Sequence, residues 1–242
     1  MTKKKELIND EIVFAELKRI FSYKSEFKKN SEIIERGFVC SKIKKEKVLF
    51  VGINPSFTSD AKVESYQYDI DNAVKEYPRH YAKFTKLIEN TDYQNNWTYV
   101  DLFQFRETNQ KRIVDLIKFD PQFLVSQLRL THKIICEINP EFIIVCNSGA
   151  SDFFGINKWK KSNGWQNVWF GYDFEFDENL GIDIIKSKNK ESILTSENQL
   201  LGTPVLFTST LTYMSRFDKR RLNWQINRIV KIRISEKKVL KT

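Results

Sequence analysis

Small polar residues and amides collect in four short stretches of the 242-residue chain: Asn54–Ser56, Gln104–Thr108, Asn147–Ser148 and Thr208–Arg216. Residues of these types position water and stabilise charged oxygens. The amide oxygen of Asn54 can accept a hydrogen bond from a water and orient it without being a strong base. The hydroxyls of Thr208, Ser209 and Thr210 can donate to an oxygen that gathers negative charge. Backbone N–H groups around Ser56 and Phe57 suit an anion, and the Phe57 ring suits a flat partner. A tight strand-ending turn at Asn54–Pro55–Ser56 is the plainer alternative. Asp101 differs in kind: ionised, it offers acceptors alone, and protonated, it offers a donor too.

Metal and nucleotide-cofactor chemistry find no support in the sequence. Cys40, Cys136 and Cys146 form no CxxC or Cys/His cluster, and three cannot all pair. They are expected to be small buried hydrophobes in a reduced, cytosolic protein. The five acids from Asp173 to Asp183 match neither calcium nor zinc spacing and read as a solvated acidic loop. No Gly-rich phosphate cradle is present. His132 falls inside a predicted helix and reads as structural, while His80 lies beside Arg79 and Tyr81 and reads as exposed or as an anion contact.

The charge is distributed unevenly. Forty Lys and Arg stand against 31 Asp and Glu, a formal charge of +9, in a chain that is 41% apolar and 14% aromatic. That composition supports a packed core and excludes a disordered polycation. Arg216–Thr242 alone holds ten Lys and Arg against Asp218 and Glu236. Within it Arg216, Lys219, Arg220 and Arg221 open a predicted helix, where exposed cations suit phosphate contacts. No apolar run reaches the roughly 20 residues of a membrane-spanning helix, and no signal peptide is expected at the start, MTKKKELINDE.

The elements that must position these groups alternate. An amphipathic helix is predicted over Leu7–Phe21, within a helical lead-in spanning residues 1–45. Continuous apolar runs predict strands at Lys47–Ile53, Trp97–Phe103, Glu141–Cys146 and Thr203–Ser209. Between them lie helices at Arg79–Glu89 and from Asp120 to Ile138, the latter with Asp120 as N-cap, Pro121 at its first position and Asn139–Pro140 as its stop. QFRETNQKR, after the second strand, reads as a charged turn. A short helix at Ala150–Phe154, an irregular insertion or edge hairpin over residues 159–198, a closing helix at Lys219–Arg233 and a basic tail over residues 235–242 complete one domain. The expected fold class is a three-layer α/β/α arrangement around a mostly parallel four-stranded sheet. Ligands of such sheets bind at the carboxyl ends of the strands, where the four polar stretches fall.

VLFVGINPS, Val48–Ser56, resembles the first active-site motif of the uracil-DNA glycosylase superfamily, most closely its mismatch-specific thymine/uracil branch. VDLFQFRET, Val100–Thr108, is similar to a second-strand motif in which an apolar strand ends in Asn–Leu–Phe before an Arg-containing turn. NPEFIIVCNSGAS, Asn139–Ser151, and TSTLTYMSRFDKRR, Thr208–Arg221, stand where that superfamily has its third-strand segment and its second catalytic motif. The resemblance spans about Lys47 to Arg233. It implies a pocket for a base flipped out of DNA, with Asn54 holding the hydrolytic water and Ser209 serving the leaving base. Gly52, Pro55, Ser56, Phe57, Asp101, Phe103, Asn147 and Thr210 would line the pocket. Tyr213 and Met214 would wedge the gap, the alternative being packing against the closing helix, and Arg216 and Arg220 would hold phosphates. No metal or organic cofactor and no membrane partner is implied. The sequence departs from the pattern twice: Asp101 stands where relatives carry the Asn that reads the pyrimidine edge, and no His–Pro pair follows the fourth strand. Asp101 alternatively turns outward or pairs with Arg106.

Overall fold

The computed structural model describes residues 8–195 and 200–239. Helices α1 (Asp10–Phe21) and α2 (Lys28–Glu35) precede strands β1 (Val39–Ser41), β2 (Val48–Gly52) and β3 (Tyr66–Tyr68). Helices α3 (Ile70–Glu76) and α4 (Pro78–Ile88) lead to β4 (Trp97–Asp101), and α5 (Lys111–Phe119) and α6 (Pro121–Ile138) lead to β5 (Phe142–Val145). Then come α7 (Ser148–Phe154), the hairpins β6 (Trp159–Lys161) with β7 (Gly164–Gln166) and β8 (Tyr172–Asp177) with β9 (Ile182–Lys188), strand β10 (Pro204–Phe207) and helix α8 (Arg216–Val239).

The main sheet has six strands in the order β4-β2-β5-β10-β9-β8. Its first four are parallel, while β9 runs antiparallel to β10 and β8 antiparallel to β9. The expected four-stranded sheet is therefore corrected to six, because the stretch read as an insertion or edge hairpin does supply a hairpin at the edge, whose two strands the expected four leave out. Charged residues interrupt β8 and β9, at Asp173, Glu175, Asp183 and Lys186, so neither shows the continuous apolar run of a buried strand.

Strand β2 is buried at all five positions, VLFVG, which is the pattern of a strand covered on both faces. Alternation then divides the sheet's side chains between two cores. Leu49, Val51, Val100, Ile143, Val145 and Val205 face the layer of α1, α6 and α7. Val48, Phe50, Trp97, Phe142, Ile144 and Leu206 face α4 and α8. Burying one such side chain is worth about 1.5–3 kcal/mol, so the two sets together hold three layers in place.

Helix α6 starts at Pro121, as the sequence predicts, and stops at Asn139 in the left-handed conformation, φ 51°. Asp120 holds the N-cap position, as expected, but does not cap with its side chain. The Asp120 carboxylate instead accepts hydrogen bonds from Tyr23 Oη at 2.8 Å, Ser25 Oγ at 2.7 Å and Asn30 Nδ2 at 2.5 Å. QFRETNQKR runs into α5 rather than ending as a turn, and the lead-in contains α2 and β1 besides α1. The closing helix begins at Arg216 and continues through the start of the expected tail to Val239; residues 240–242, the Leu7 start of the first predicted helix and residues 196–199 lie outside the described residues. Among the described residues no helix is long and apolar enough to cross a membrane.

Candidate functional site

The chain leaves β2 for β4 on one side and returns across β2 to β5 on the other. In open α/β sheets such a reversal opens a crevice at the carboxyl ends of the two strands. Period-two alternation sets what faces it. Gly52 pairs with Asp101 in register, and Cys146 follows β5 with its N–H on Val51 O at 2.9 Å. All three lie on the α4 side of the sheet, in phase with Phe50, Tyr99 and Ile144.

Tyr99 stands two residues before Asp101 on the same face and donates its hydroxyl to Asp101 Oδ1 at 2.5 Å. A Cβ added to Gly52 would overlap both the Tyr99 hydroxyl and Asp101 Oδ1, so only glycine leaves this pair in place. Tyr68 of β3 and Tyr81 of α4 interact through their hydroxyls and lie within electrostatic reach of Asp101, as does Lys83 of α4.

Burial pushes the Asp101 carboxyl up to about 7, against the opposing pull of the Tyr99 hydroxyl and the Lys83 ammonium. Burial also lowers Lys83, opposed by Cys146 and Asp101, and raises Tyr99 and Tyr68 well above the ordinary phenol range with Asp101 contributing. The Cys146 thiol is raised by burial as well. Near neutral pH Asp101 is thus poised between an acid that donates and accepts and a carboxylate that only accepts.

The next loops brace one another. Asn54 donates through Nδ2 to Glu107 O at 2.6 Å and to Pro55 O at 2.9 Å, which leaves its Oδ1 as the acceptor for an outside donor. Glu107 is buried and takes Arg36 at 2.8 Å and Arg112 at 3.2 Å. The Phe57 ring lies against two guanidiniums, Arg36 at 4.6 Å and Arg106 at 5.0 Å. Arg106 donates to Lys62 O at 2.6 Å and makes no ion pair among the described residues, so it is not the partner of Asp101. Ser56 is exposed and Pro55 half-buried at the turn.

Asn147 caps α7 through Gly149 N at 2.8 Å and Ala150 N at 3.3 Å, and its Nδ2 reaches Thr210 Oγ1 at 3.4 Å. Ser209 is exposed beside Thr208, whose hydroxyl donates to Ser209 O at 2.7 Å. Phe103 lies at this end but on the other face of the sheet, fully buried in the opposite core against Phe105 and Phe153. Tyr213 is 89% exposed, whereas Met214 packs against the α4/α8 core. Arg216 and Arg220, with Lys219, Lys86 and Glu89, line an open cavity of about 510 Å³. A larger one, about 760 Å³, shares Lys86 and Glu89 with it and opens by Asn95 and Trp97 at the amino end of β4.

The structure thus joins Gly52 to Asp101 and Asn147 to Thr210. It adds Tyr99, Tyr68, Tyr81 and Lys83, which the sequence reading passed over. Only Tyr99 carries a local signal, its two-residue spacing from Asp101 in a strand. His132 is structural: it is buried, bonds Tyr172 Oη through Nε2 at 2.6 Å, and is lowered by burial to about 4. His80 sets its ring edge on Tyr81 and is lowered by burial and Lys83. Asp173 pairs with Lys158, Glu175 pairs with Lys186 and Asp177 caps its own turn, and among the described residues no group of three or more His, Cys, Asp and Glu could hold a metal ion. Comparison with known proteins finds no family model that matches the chain and no curated sequence that matches it.

Proposed function

We propose that this chain is a uracil-DNA glycosylase-like protein that binds DNA, receives a turned-out pyrimidine at the carboxyl ends of β2, β4 and β5, and hydrolyses its N-glycosidic bond. The observation that carries the reading is the Gly52–Tyr99–Asp101 arrangement: a raised carboxyl fixed by one hydroxyl, over a glycine that leaves it room. Uracil presents N3–H and O4 side by side. A protonated Asp101 answers both, accepting from N3–H and donating to O4, so it takes over the edge-reading role that an Asn would have.

Breaking the bond builds cationic character on the sugar and negative charge on the departing base. Asn54, anchored through its nitrogen, presents Oδ1 to orient the water that attacks the sugar carbon. The bond to the base breaks ahead of or together with formation of the new carbon–oxygen bond, its electron pair leaves with the base, and the water's proton passes to solvent. Hydroxyls of Ser209 and Thr210 donate to the base oxygens. The polar pocket needs no metal or organic cofactor for this route.

One observation favours a second reading. The loop after β10 offers hydroxyls rather than an imidazole, and Thr208 already spends its proton on Ser209 O. These weaker donors fit a nucleic-acid-binding module on the same scaffold that does not cleave. An enzyme acting on a free nucleoside or nucleotide would use the same pocket without the basic helix. Incubation with single- and double-stranded oligonucleotides containing uracil separates the readings: hydrolysis leaves alkali-labile abasic sites, and binding without them retains only the module.

A further inference from the structure

Helix α8 has two unlike faces. Leu222, Ile226, Ile229 and Val230 are at most 7% exposed and pack into the core beneath the sheet. About 180° around the helix, at 100° per residue, Phe217, Arg220, Arg221, Trp224, Arg228 and Lys231 fall within a stripe roughly 100° wide. All six are exposed, Phe217 at 71% and Trp224 at 62%. The Arg228 guanidinium lies over the Trp224 ring at 5.6 Å, and Arg221 is only loosely held by Asp218 at 3.8 Å.

Large aromatics on the outer face of a helix whose inner face is already filled are not explained by the core. Their interleaving with cations limits what fits. A bilayer surface would take the aromatics by insertion, but α8's continuous apolar face is buried in the protein, and inserting Phe217 and Trp224 would carry four neighbouring cations with them. A base can instead lie on each ring while its phosphates meet the cations between, which is how single strands are held without sequence preference. The two rings are about 10 Å apart along the axis, at about 1.5 Å per residue, a span that two or so extended nucleotides cover. Duplex DNA keeps its bases stacked inside and has no face to offer them.

We infer that the exposed stripe of α8, from Phe217 to Lys231, is a stacking track for single-stranded nucleic acid. Helix α8 follows the loop after β10, and its first two turns line a cavity with Lys86 and Glu89 at the end of α4. This goes beyond the proposed hydrolysis and holds whether or not any base is released.

The test is fluorescence anisotropy with labelled 20-nucleotide single strands lacking uracil, and with the matching duplex, on the full chain. The expected results are tighter binding to the single strand, and about a tenfold loss for each of Phe217→Ala and Trp224→Ala with an unchanged salt slope. Arg228→Gln with Lys231→Gln should flatten the slope of log K against log salt by about 1.4, the value for two phosphate contacts on a single strand. Unchanged thermal melting of the variants shows that they remain folded, as their exposure requires. Equal binding of the aromatic variants, or aromatic-independent binding that favours the duplex, overturns the track. So does a dimer in sedimentation that the aromatic variants dissolve, or anionic-vesicle binding that they abolish while oligonucleotide binding persists. Single-strand binding without abasic-site formation rejects only the hydrolysis and leaves the track standing.

Discussion

Two aspartates end up inside this protein in opposite circumstances. Asp120, where α5 meets α6, is 3% exposed and surrounded by donors: Tyr23, Ser25 and Asn30 all point at its carboxylate. Asp101, at the carboxyl end of β4, is half-buried and receives one side-chain hydroxyl, from Tyr99. The first is saturated and sews α2 and the segment before it to the helical layer. The second has one oxygen that no side-chain donor reaches among the described residues, and burial raises it to about 7. The two carboxylates thus differ in the number of donors each is given as well as in depth.

Changes at the two places should act on different properties, and the largest effect is expected at Asp120. Asp120→Ala strands three donors, one of them on buried Asn30, and should cost about 3 kcal/mol. For a chain of this size that is a fall of roughly 6–12 °C in melting temperature, with oligonucleotide binding by the folded protein unchanged. Gly52→Ala strikes the other site. Its Cβ has to displace Tyr99 or Asp101, which should cost about 1–3 kcal/mol in denaturant unfolding and lower base release by at least about tenfold.

Asp101→Asn sharpens the contrast through pH. In the folded chain Asp101 holds its proton up to about 7, while an unfolded Asp releases it near 3.9. Between those values the native state binds the extra proton, so this residue's contribution makes stability fall as pH rises from about 4 to 7. Asp101→Asn should remove that component of the slope, which denaturant midpoints measured at pH 4.5 and 7.5 would reveal. The smallest effect is expected at His80. His80→Ala should change stability by no more than about 0.5 kcal/mol and leave base release intact, because the residue is exposed and its ring sets an edge on Tyr81 and a tilted contact on Phe84.

Much of the scaffold is legible in the sequence for a simple reason. A strand covered on both faces has to be apolar throughout, and VLFVG and FIIV are. Helix α6 announces itself by Pro121 and by the Asn139 that closes it. Helix α5 is hidden although Ile113, Leu116 and Ile117 are helically spaced, because it has only nine residues and begins inside the charged, amide-rich run QFRETNQKR, which reads as a turn. Strands β1 and β3 are three residues each and exist through pairing with one another across intervening chain, which no local pattern records. The β8–β9 hairpin is half-exposed and charged, hence its reading as irregular.

The site is legible to the extent that one strand carries it. Asp101 and Gly52 stand at the ends of recognisable strands, but Tyr68, Tyr81 and Lys83 come from elsewhere in the chain and meet Asp101 only through folding. Asp120 shows the converse failure. Its position before Pro121 is that of a cap, yet three distant donors claim the side chain first. The basic run from Arg216 was visible in the sequence, whereas which side of α8 carried its aromatics required knowing which face the sheet covers.

The most direct measurement is the single-turnover rate of uracil release from a single-stranded oligonucleotide between pH 5 and pH 9, for the wild type and Asp101→Asn. If a protonated Asp101 reads the base, the wild-type rate holds below about pH 7 and falls about tenfold per unit above it, while the variant, with a donor and an acceptor at every pH, gives a flat profile. No release by the wild type, or a variant that follows the wild-type profile, would contradict the account.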